Sequence, residues 1–475
     1  MKRIYLIISL LIIFCFQDIS AQVKQWTLED CINYALDHNL DIKKQILSVE
    51  ANKKQLLQSR LNLLPDLNAN ATNVWNFGQT IDMYTNTFAT STVRSNNFYI
   101  QSTATLFSGL TKVNTIKQNS IILLASQYDL DVLKNDISLA VAGYFLDMLL
   151  NLELLDVARN QIEITKGQVS RMSKLVEAGS SAKGDLLNIQ AQESAEALAV
   201  IQAENRLIIS RLSLQQLIDL PVSPDFRIEK PLLKPVEDSK GLLTPDQVFN
   251  FAVEKRPEIK SADLQVQSAQ KSLAIARGVL YPSLSFGGSW GTGYSGVSQE
   301  VESTVYKKEF IGVTNVTGDT VFGYYPSSTY KNKNFSKQIR DNDNKTLGFY
   351  LRIPIFNGWS GRTNISLAKI QQEKAEIDLE IQKRDLRKNI EQAYTDASAS
   401  LQQYNASLQK VAAQEESFKY TQQKFDVGMM TSFDYNNSKK DLTKAESELL
   451  QAKYDFIFKT TILDFYMGKP ISINK

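Results

Sequence analysis

The chain has 475 residues, with 53 basic and 51 acidic side chains mixed along its length and a net charge of +2. This balance argues against a nucleic-acid surface or a polybasic membrane arm. A single histidine and two cysteines cannot supply a typical metal site, so we expect neither a metal nor another cofactor.

The amino-terminal stretch has the features of an export signal. Two basic residues, Lys2 and Arg3, precede an apolar run from Ile4 to Phe16. This run is too short to span a membrane, so we predict that residues 1–21 are a signal peptide that is removed on secretion. Its removal leaves Cys31 as the only cysteine, which excludes a disulfide within one chain.

The rest of the chain repeats one plan twice. Phe107 recurs as Phe356, 249 positions later, and other residues recur at the same interval. These further pairs are Gly109 and Gly358, Gly179 and Gly428, Asp185 and Asp434, and Pro221 and Pro470. The sequence therefore predicts a first repeat at 22–221, an outer linker at 222–243 and a second repeat at 244–475.

Each repeat is predicted to begin with a helix. The helix of the first repeat starts at Thr27. In the second repeat, Thr244 and Gln247 form a capping box, with a proline at the first helical position. Pro257 interrupts this second copy, so a kink or break is expected there. The first copy is predicted to run unbroken over 27–63.

Two strands follow in each repeat. Apolar side chains alternate with small or polar ones over residues 98–106 in the first repeat, and over 284–290 and 347–355 in the second. A strand with one apolar and one polar face is typical of an outer-membrane barrel. Between the strands we predict polar loops at 78–95 and 291–344, the second of which absorbs 32 extra residues.

A long helix and a shorter return helix complete each repeat. The segment 363–425 contains no proline or glycine, and its apolar residues recur at gaps of three and four. At about 1.5 Å per residue, this helix would be ~95 Å long. The first repeat has a matching helix over about 111–178. Gly179 and Gly428 are predicted to end the two long helices in the left-handed conformation that reverses the chain.

Four strands cannot close a barrel within one chain. No strand edge can stay unpaired in a bilayer, and single-chain barrels start at about eight strands. Two chains would supply eight strands and three would supply twelve; the wide tube that long helices need favours three. We therefore predict a mixed α and β fold: a twelve-stranded transmembrane β-barrel shared by a homotrimer and continued by a long, coiled-coil α-helical barrel in the periplasm. A soluble β-sandwich with helical arms is the alternative.

Short motifs in a fixed order connect the chain to a known family. They are Leu-Pro-Asp-Leu at Leu64–Leu67, Tyr-Pro-Ser-Leu at Tyr281–Leu284, Ile-Phe-Asn-Gly at Ile355–Gly358, and Phe-Asp-Val-Gly at Phe425–Gly428 followed by Asp434. Together with the duplicated plan, they make the whole mature chain resemble the TolC family of outer-membrane efflux proteins. The resemblance implies a homotrimer in the lipid of the cell outer membrane, with a large periplasmic portion. It also implies docking to a periplasmic adaptor protein and an inner-membrane pump of RND or ABC type.

The resemblance further implies a constriction at the periplasmic ends of the helices. In the family, an aspartate matching Asp434 lines this constriction, and one matching Asp185 joins a polar network that holds it closed. The chain departs from the best-known pattern at three positions. Asn437, Met430 and Phe425 stand where a second aspartate, an arginine and a tyrosine occur.

Three interpretations of this end of the molecule stay open. If the helix ends converge in a trimer, six carboxylates form a ring. Alternatively, Asp185 and Asp434 only stabilise the positive ends of their own helices, by ~0.3–1 kcal/mol each. The closure itself is also open to apolar packing among four side chains, Phe425, Met429, Met430 and Phe433. The helix-hairpin tips at Gly179 and Gly428 are the expected docking points for the adaptor.

The predicted function is an exit duct of a tripartite efflux or type I secretion system, not an enzyme. Ser289 lies in a G-x-S-x-G sequence, but that motif needs a strand-to-helix turn and a later histidine. The only histidine, His38, comes earlier in the chain. The competing interpretations are a periplasmic adaptor-type protein with helical hairpins and a stand-alone outer-membrane porin.

Overall fold

The computed structural model describes residues 25–90, 92–231 and 243–471. The predicted signal peptide and the middle of the predicted linker lie outside these residues. The chain forms two compact units. A helical unit comprises Met1–Asn52, Ile122–Val266 and Lys374–Lys475, and a strand-bearing unit comprises Lys53–Ile121 and Gln267–Glu373.

The same succession of principal elements occurs twice along the chain: two consecutive helices, two long strands, a long helix and a shorter helix. In chain order the elements are β1 (Gln25–Trp26), α1 (Leu28–His38), α2 (Leu40–Leu61), β2 (Asn68–Asn76), β3 (Thr80–Ile81), β4 (Phe88–Ala89), β5 (Val93–Ser108), α3 (Thr111–Glu177), α4 (Lys183–Leu217), β6 (Arg227–Ile228), α5 (Pro245–Lys255), α6 (Pro257–Gly278), β7 (Ser283–Ser295), β8 (Gln299–Val313), β9 (Thr320–Asn332), α7 (Phe335–Asp341), β10 (Asn344–Arg352), α8 (Ser360–Asp426) and α9 (Ser432–Tyr466).

Both first helices begin with a capping box. At α5 the predicted pair, Thr244 and Gln247, is confirmed, and the helix ends before Pro257 as expected. At α1 the equivalent box joins Thr27 and Asp30, because the Thr27 Oγ1 accepts from the Asp30 N–H at 3.0 Å and the Asp30 carboxylate accepts from the Thr27 N–H at 3.1 Å. These boxes satisfy backbone donors that a helix start leaves open.

The prediction of one unbroken helix over 27–63 is wrong. Asn39 separates α1 from α2, although no proline is present. Its Oδ1 accepts from the N–H groups of Asp41 and Ile42, at 2.9 and 3.2 Å. Asparagine favours this position because its short side chain can cap a new helix. The two repeats therefore break at the same place by different means, a proline in one and a capping asparagine in the other.

The long strands form one antiparallel sheet in the order β10-β7-β5-β2. Across its apolar face, Phe349 lies opposite Phe286, and Phe286 lies opposite Ala104. The Phe286 and Phe349 ring centroids are 4.9 Å apart. The opposite face carries small and polar side chains such as Ser285, so the predicted alternation is confirmed. A bulge in β5 places Phe107, rather than the expected Leu106, opposite the apolar row of β7.

The prediction of a polar loop over 291–344 is wrong for most of its length. β7 continues to Ser295, and β8 and β9 pair with each other as a separate antiparallel hairpin. Irregularities near Glu302 and Ile311 interrupt the period-two pattern of β8, and this hides the strand from a sequence pattern. Aromatic residues of the hairpin stay exposed, with Tyr306 at 67%.

The helical unit contains two hydrophobic cores. The first packs α1 and α4 against α3 around Val141, Phe145 and Leu149, each at most 1% exposed. It also includes Phe226 and Ile228, so this part of the predicted linker is buried and does not run over the outside. The second core joins α5, α6, α8 and α9.

One helix is more apolar than its packing within the chain requires. α3 contains an 18-residue window of mean hydropathy 1.5, long and apolar enough to cross a membrane, and 39% of that window is buried. Some of the apolar side chains of α3, such as Phe145, are buried in the first core. Elsewhere on α3, Leu124 and Tyr144 are each 43% exposed. The single chain therefore leaves apolar surface on α3 uncovered.

Candidate functional site

The predicted site residues lie at the ends of two helical hairpins, α3–α4 and α8–α9. Each hairpin consists of a 67-residue helix followed by a 35-residue helix. Gly179 and Gly428 have φ of +73° and +76°, which confirms the predicted left-handed turns. The Ser180 N–H donates to the Leu175 carbonyl, and the equivalent Met429 bond is also 2.8 Å long. Both turns are Schellman motifs, in which the reversal itself satisfies carbonyls at the helix end.

Asp434 lies in the first turn of its own helix, α9, and binds the residue that caps this helix, Thr431. The Thr431 Oγ1 accepts from the Asp434 N–H at 3.2 Å and donates to the Asp434 Oδ2 at 2.7 Å. The side chain of Asp434 is exposed in the first turn of α9, where the helix dipole favours a negative charge. The first-turn position that the sequence predicted for this carboxylate is therefore present in the structure.

Asp185 contacts the other hairpin instead. α4 has Ala182 as its N-cap and no side-chain capping bond. The Ser432 Oγ donates to the Asp185 Oδ1 at 2.8 Å. Because Ser432 follows Thr431 directly, both aspartates bind the first residues of α9. The structure thus brings Asp185 and Asp434 to one end of the helical unit.

An aromatic cluster packs beside them around a residue that the sequence analysis missed. Tyr435 is 1% exposed, and the ring of Phe425 stacks on it with centroids 4.6 Å apart. Phe418 lies 5.4 Å from the same ring. Burial raises the pKa of Tyr435, and the nearby Asp426 carboxylate raises it further. The heptad pattern gave a usable signal here, because Tyr435 lies on the apolar seam of α9.

The other predicted site residues differ in how far their side chains are buried. Met430 is half-buried, and Asn437 is exposed three residues beyond Asp434, on the same side of α9. Met429 is 79% exposed and Phe433 is 65% exposed. Of the four side chains expected to close the end by apolar packing, Phe425 is therefore packed within the chain, whereas Met429 and Phe433 are not.

Comparison with known proteins gives this architecture a family. The model of the family described as outer membrane efflux protein matches residues 31–219 and 248–469. The chain belongs to the outer membrane efflux protein family. This membership places the chain in the outer membrane and in efflux.

Three similar proteins show how far the likeness extends. The alkaline protease secretion protein AprF of Pseudomonas aeruginosa is 26% identical over 144 residues, which is 30% of each chain. The outer membrane protein TolC of Vibrio cholerae is 24% identical over 334 residues, 70% of this chain and 67% of that protein. The CmeC outer membrane channel of Campylobacter jejuni matches in structure with a TM-score of 0.74, at 15% identity and over 94% of this chain and 87% of that one. The last match establishes a shared fold.

This outer membrane efflux protein also contains a buried ionic group that the sequence analysis missed. Lys439 on α9 is 2% exposed, and its Nζ donates to three acceptors, the Gln161 carbonyl at 3.1 Å, Thr165 Oγ1, and Glu196 Oε1 at 3.4 Å. Thr165 in turn donates to Glu196 Oε2. Burial lowers the pKa of Lys439, and the charge of Glu196 opposes this shift. Lys439 lies three residues before Leu442 on the apolar seam of α9, which is the signal that the sequence offered.

The G-x-S-x-G sequence does not lie at the strand-to-helix turn that this motif needs. Ser289 lies in the middle of β7, paired with strands on both sides and far from any strand-to-helix turn. The His38 Nδ1 lies 3.0 Å from the Tyr34 carbonyl on α1. Within residues 25–90, 92–231 and 243–471, no three or more His, Cys, Asp or Glu side chains are grouped to hold a metal ion.

Proposed function

We propose that this outer membrane efflux protein is the exit duct of a tripartite efflux or type I secretion system and not an enzyme. One observation carries the proposal: an amphipathic sheet with two open edges shares a chain with two helical hairpins of matched length. Neither rival class accounts for both features: a periplasmic adaptor would not need such a sheet to function, and a stand-alone porin would not need such hairpins. The similarity to AprF, which is named for protease secretion, supports an export role.

The barrel of the proposed duct is shared by three copies. β2 and β10 are the edge strands of the described sheet, and a strand edge in a bilayer must find a partner. Three chains supply twelve strands, which closes a barrel within the known size range. On β10 the apolar face exposes Leu347, Phe349 and Leu351 by 77%, 70% and 62%, as a face in contact with lipid would. The uncovered apolar surface of α3 favours contact with a neighbouring copy.

The mass of the purified protein tests this assembly. Native mass spectrometry in detergent is expected to give three times the mass of the mature chain. A monomer with fully protected strand amides would refute the shared barrel, because the edges would then be paired some other way.

A pair of substitutions on neighbouring residues tests which face of the sheet meets lipid. Phe349→Arg places a charge on the apolar face, where the expected cost reaches about 2–4 kcal/mol at mid-membrane depth. Tyr350→Arg is the matched control, because Tyr350 shares the other face with Ser285. We expect the first substitution to lower the amount of assembled protein in outer-membrane fractions and the second to leave it unchanged. The reverse result would mean that the face with Tyr350, and not the face with Phe349, meets lipid.

The hairpin ends form the proposed gate. In a trimer, Asp185 and Asp434 supply six carboxylates, which attract cations if they lie within about 8 Å of one another. Replacing both by Asn is expected to weaken cation selectivity and divalent block in single-channel recordings. Phe425→Ser is expected to raise the resting conductance instead, because it removes the ring that stacks on Tyr435. Unchanged ion selectivity in the double variant would mean that these aspartates bind the start of α9 and do not select ions.

The same hairpin ends are the proposed docking points for a periplasmic adaptor, which connects the duct to an RND or ABC pump. The exposed apolar residues Val427 and Met429 flank Gly428, and exposed apolar side chains at a loop mark a binding surface. We expect Met429→Glu to abolish export in cells while purified trimers conduct normally. Normal export by this variant would place the docking surface elsewhere.

The β8–β9 hairpin, which contains most of the extra residues of the second repeat, is proposed to lie outside the cell. An epitope inserted after Gly318, in the exposed turn of this hairpin, is expected to bind antibody on intact cells. Binding only after rupture of the outer membrane would reverse the proposed orientation.

A further inference from the structure

The buried group of Thr165, Glu196 and Lys439 joins three helices, α3, α4 and α9. The three residues are 2%, 7% and 2% exposed. The ammonium group of Lys439 has three hydrogens and three acceptors. Glu196 receives bonds from Lys439 and Thr165 and, at 2.8 Å, from the Gln192 Nε2. The network is therefore closed, with every strong donor and acceptor engaged.

A closed network of this kind adds little net stability. Removing two charges from water costs free energy that their attraction only roughly returns, so a well-packed apolar replacement is often neutral or stabilising. In coiled coils, a single buried polar residue can instead specify the register, because only one axial alignment of the helices leaves its partners satisfied. An apolar seam alone tolerates a shift by one turn more easily.

The location of the group shows what this alignment controls. Ser432, Tyr435 and Lys439 follow one another on α9 at gaps of three and four, so they lie on one face, and all three are buried. Ser432 binds Asp185, and Tyr435 stacks on Phe425. Fixing Lys439 therefore fixes the turn of α9 that contacts the candidate gate residues.

We propose that the Thr165–Glu196–Lys439 group is a register pin: it sets the axial position of α9 against the α3–α4 hairpin and so positions the candidate gate residues, without stabilising the fold. Lys439 is a positioning residue in this proposal and does not itself line the duct. The proposed link to gating rests on the duct function, whereas the pin itself does not.

A disulfide reporter tests the pin on the full chain in detergent. Cys31→Ala removes the only cysteine outside the predicted signal peptide. In this background, Asp185→Cys is combined either with Ser432→Cys, the residue that Asp185 contacts, or with Asn436→Cys, one helical turn further along α9. With the pin intact, we expect rapid disulfide formation at 432 and almost none at 436.

Replacing the pin by apolar residues is the decisive change. Thr165→Val, Glu196→Met and Lys439→Met together are expected to leave the thermal midpoint equal or higher. The preference for 432 over 436 is expected to be lost. Thr165→Val alone keeps the charges and is expected to weaken the preference less, so the test holds even if the triple variant fails to fold.

The outcomes separate the two proposals. An unchanged preference for 432 in the apolar or Thr165→Val variants overturns the pin, as does a lower midpoint with unchanged disulfide formation, because that is the signature of a purely stabilising role. Planar-bilayer recordings of the apolar variant without the reporter cysteines are expected to show more frequent opening from rest. If trimers of every variant and of the native chain pass no current, the duct function fails while the disulfide result still decides the pin.

Discussion

The two helical hairpins share a backbone and differ in how they use their polar side chains. Their helices have identical lengths, and their turn glycines differ by only 3° in φ. Yet Asp434 binds the threonine that caps its own helix, whereas Asp185 binds Ser432 of the other hairpin. The two hairpins thus keep the same backbone because they share a turn and an apolar seam. One hydroxyl group, that of Ser432, is enough to give Asp185 a different partner from that of Asp434.

The buried group extends the contrast. The position equivalent to Lys439 in the first hairpin is Gln190, which is exposed, and the position equivalent to Glu196 in the second is Ala445, which is fully buried. The ion pair between Lys439 of the second hairpin and Glu196 of the first therefore has no counterpart in which the two hairpins are exchanged. Two similar hairpins acquire distinct places in one chain through a few such unmatched positions.

The largest effect is expected from a substitution that breaks the buried ion pair between Glu196 and Lys439. Glu196→Leu leaves the charge of Lys439 without its partner, which we expect to destabilise the helical unit by about 3–5 kcal/mol. The matched control is Glu448→Leu, which removes the partner of Lys410 at 39% and 45% exposure and is expected to cost no more than about 1 kcal/mol. Thermal denaturation followed by circular dichroism measures both. Similar losses at the two sites would mean that burial does not distinguish these ion pairs.

The turn glycines test the shared backbone. Gly179→Ala and Gly428→Ala each force a side chain into the left-handed region, at an expected cost of about 1–2 kcal/mol. Open space surrounds both positions, so the two losses are expected to be equal. Gly167→Ala, inside α3 and equally unobstructed, is expected to gain about 0.5–1 kcal/mol. Unequal losses at the two turns would show that the backbones are not equivalent.

The helix caps test the first difference between the hairpins. Thr431→Ala removes the side chain that caps α9 and is expected to cost about 1 kcal/mol. Ala182→Thr adds the missing cap to α4 and is expected to gain up to a similar amount. Melting temperatures of the two variants should therefore move in opposite directions; a shift in the same direction would contradict the assignment of the caps.

The smallest expected effect concerns the hydrogen bond between the hairpins. A double-mutant cycle on Asp185→Ala and Ser432→Ala is expected to give a coupling free energy of about 0.5–1.5 kcal/mol. Asp434→Ala with Ser432→Ala is the control cycle. A coupling in the control as large as in the test pair would remove the distinction between the two aspartates.

The features that could be predicted from the sequence are those encoded by short-range patterns. Seams at gaps of three and four, and glycines at their ends, located α3 and α8 within a few residues. The alternation around Phe286 gave the faces of the sheet. These signals act between residues that are close in the chain, so one sequence is sufficient to detect them.

The features that were missed depend on contacts or irregularities that a periodic pattern does not contain. Asn39 starts a new helix, because its side chain caps α2, and no proline marks the break before it. Bulges displaced the alternation in β8, and the hairpin therefore resembled a polar loop. The pairing of Lys439 with Glu196 joins residues 243 positions apart, and nothing in either helix alone indicates the other.

The distribution of cores has a consequence for the biogenesis of the protein. Both hydrophobic cores lie in the helical unit, whereas the sheet of the strand-bearing unit presents open edges and an apolar face. A newly exported chain can thus condense its helices in water. Its strands, however, stay prone to aggregation as long as the edges of the sheet are open. The two units therefore differ in what protects them: the helical unit buries its own apolar side chains, whereas the open strand edges of the other unit remain available to pair with another chain.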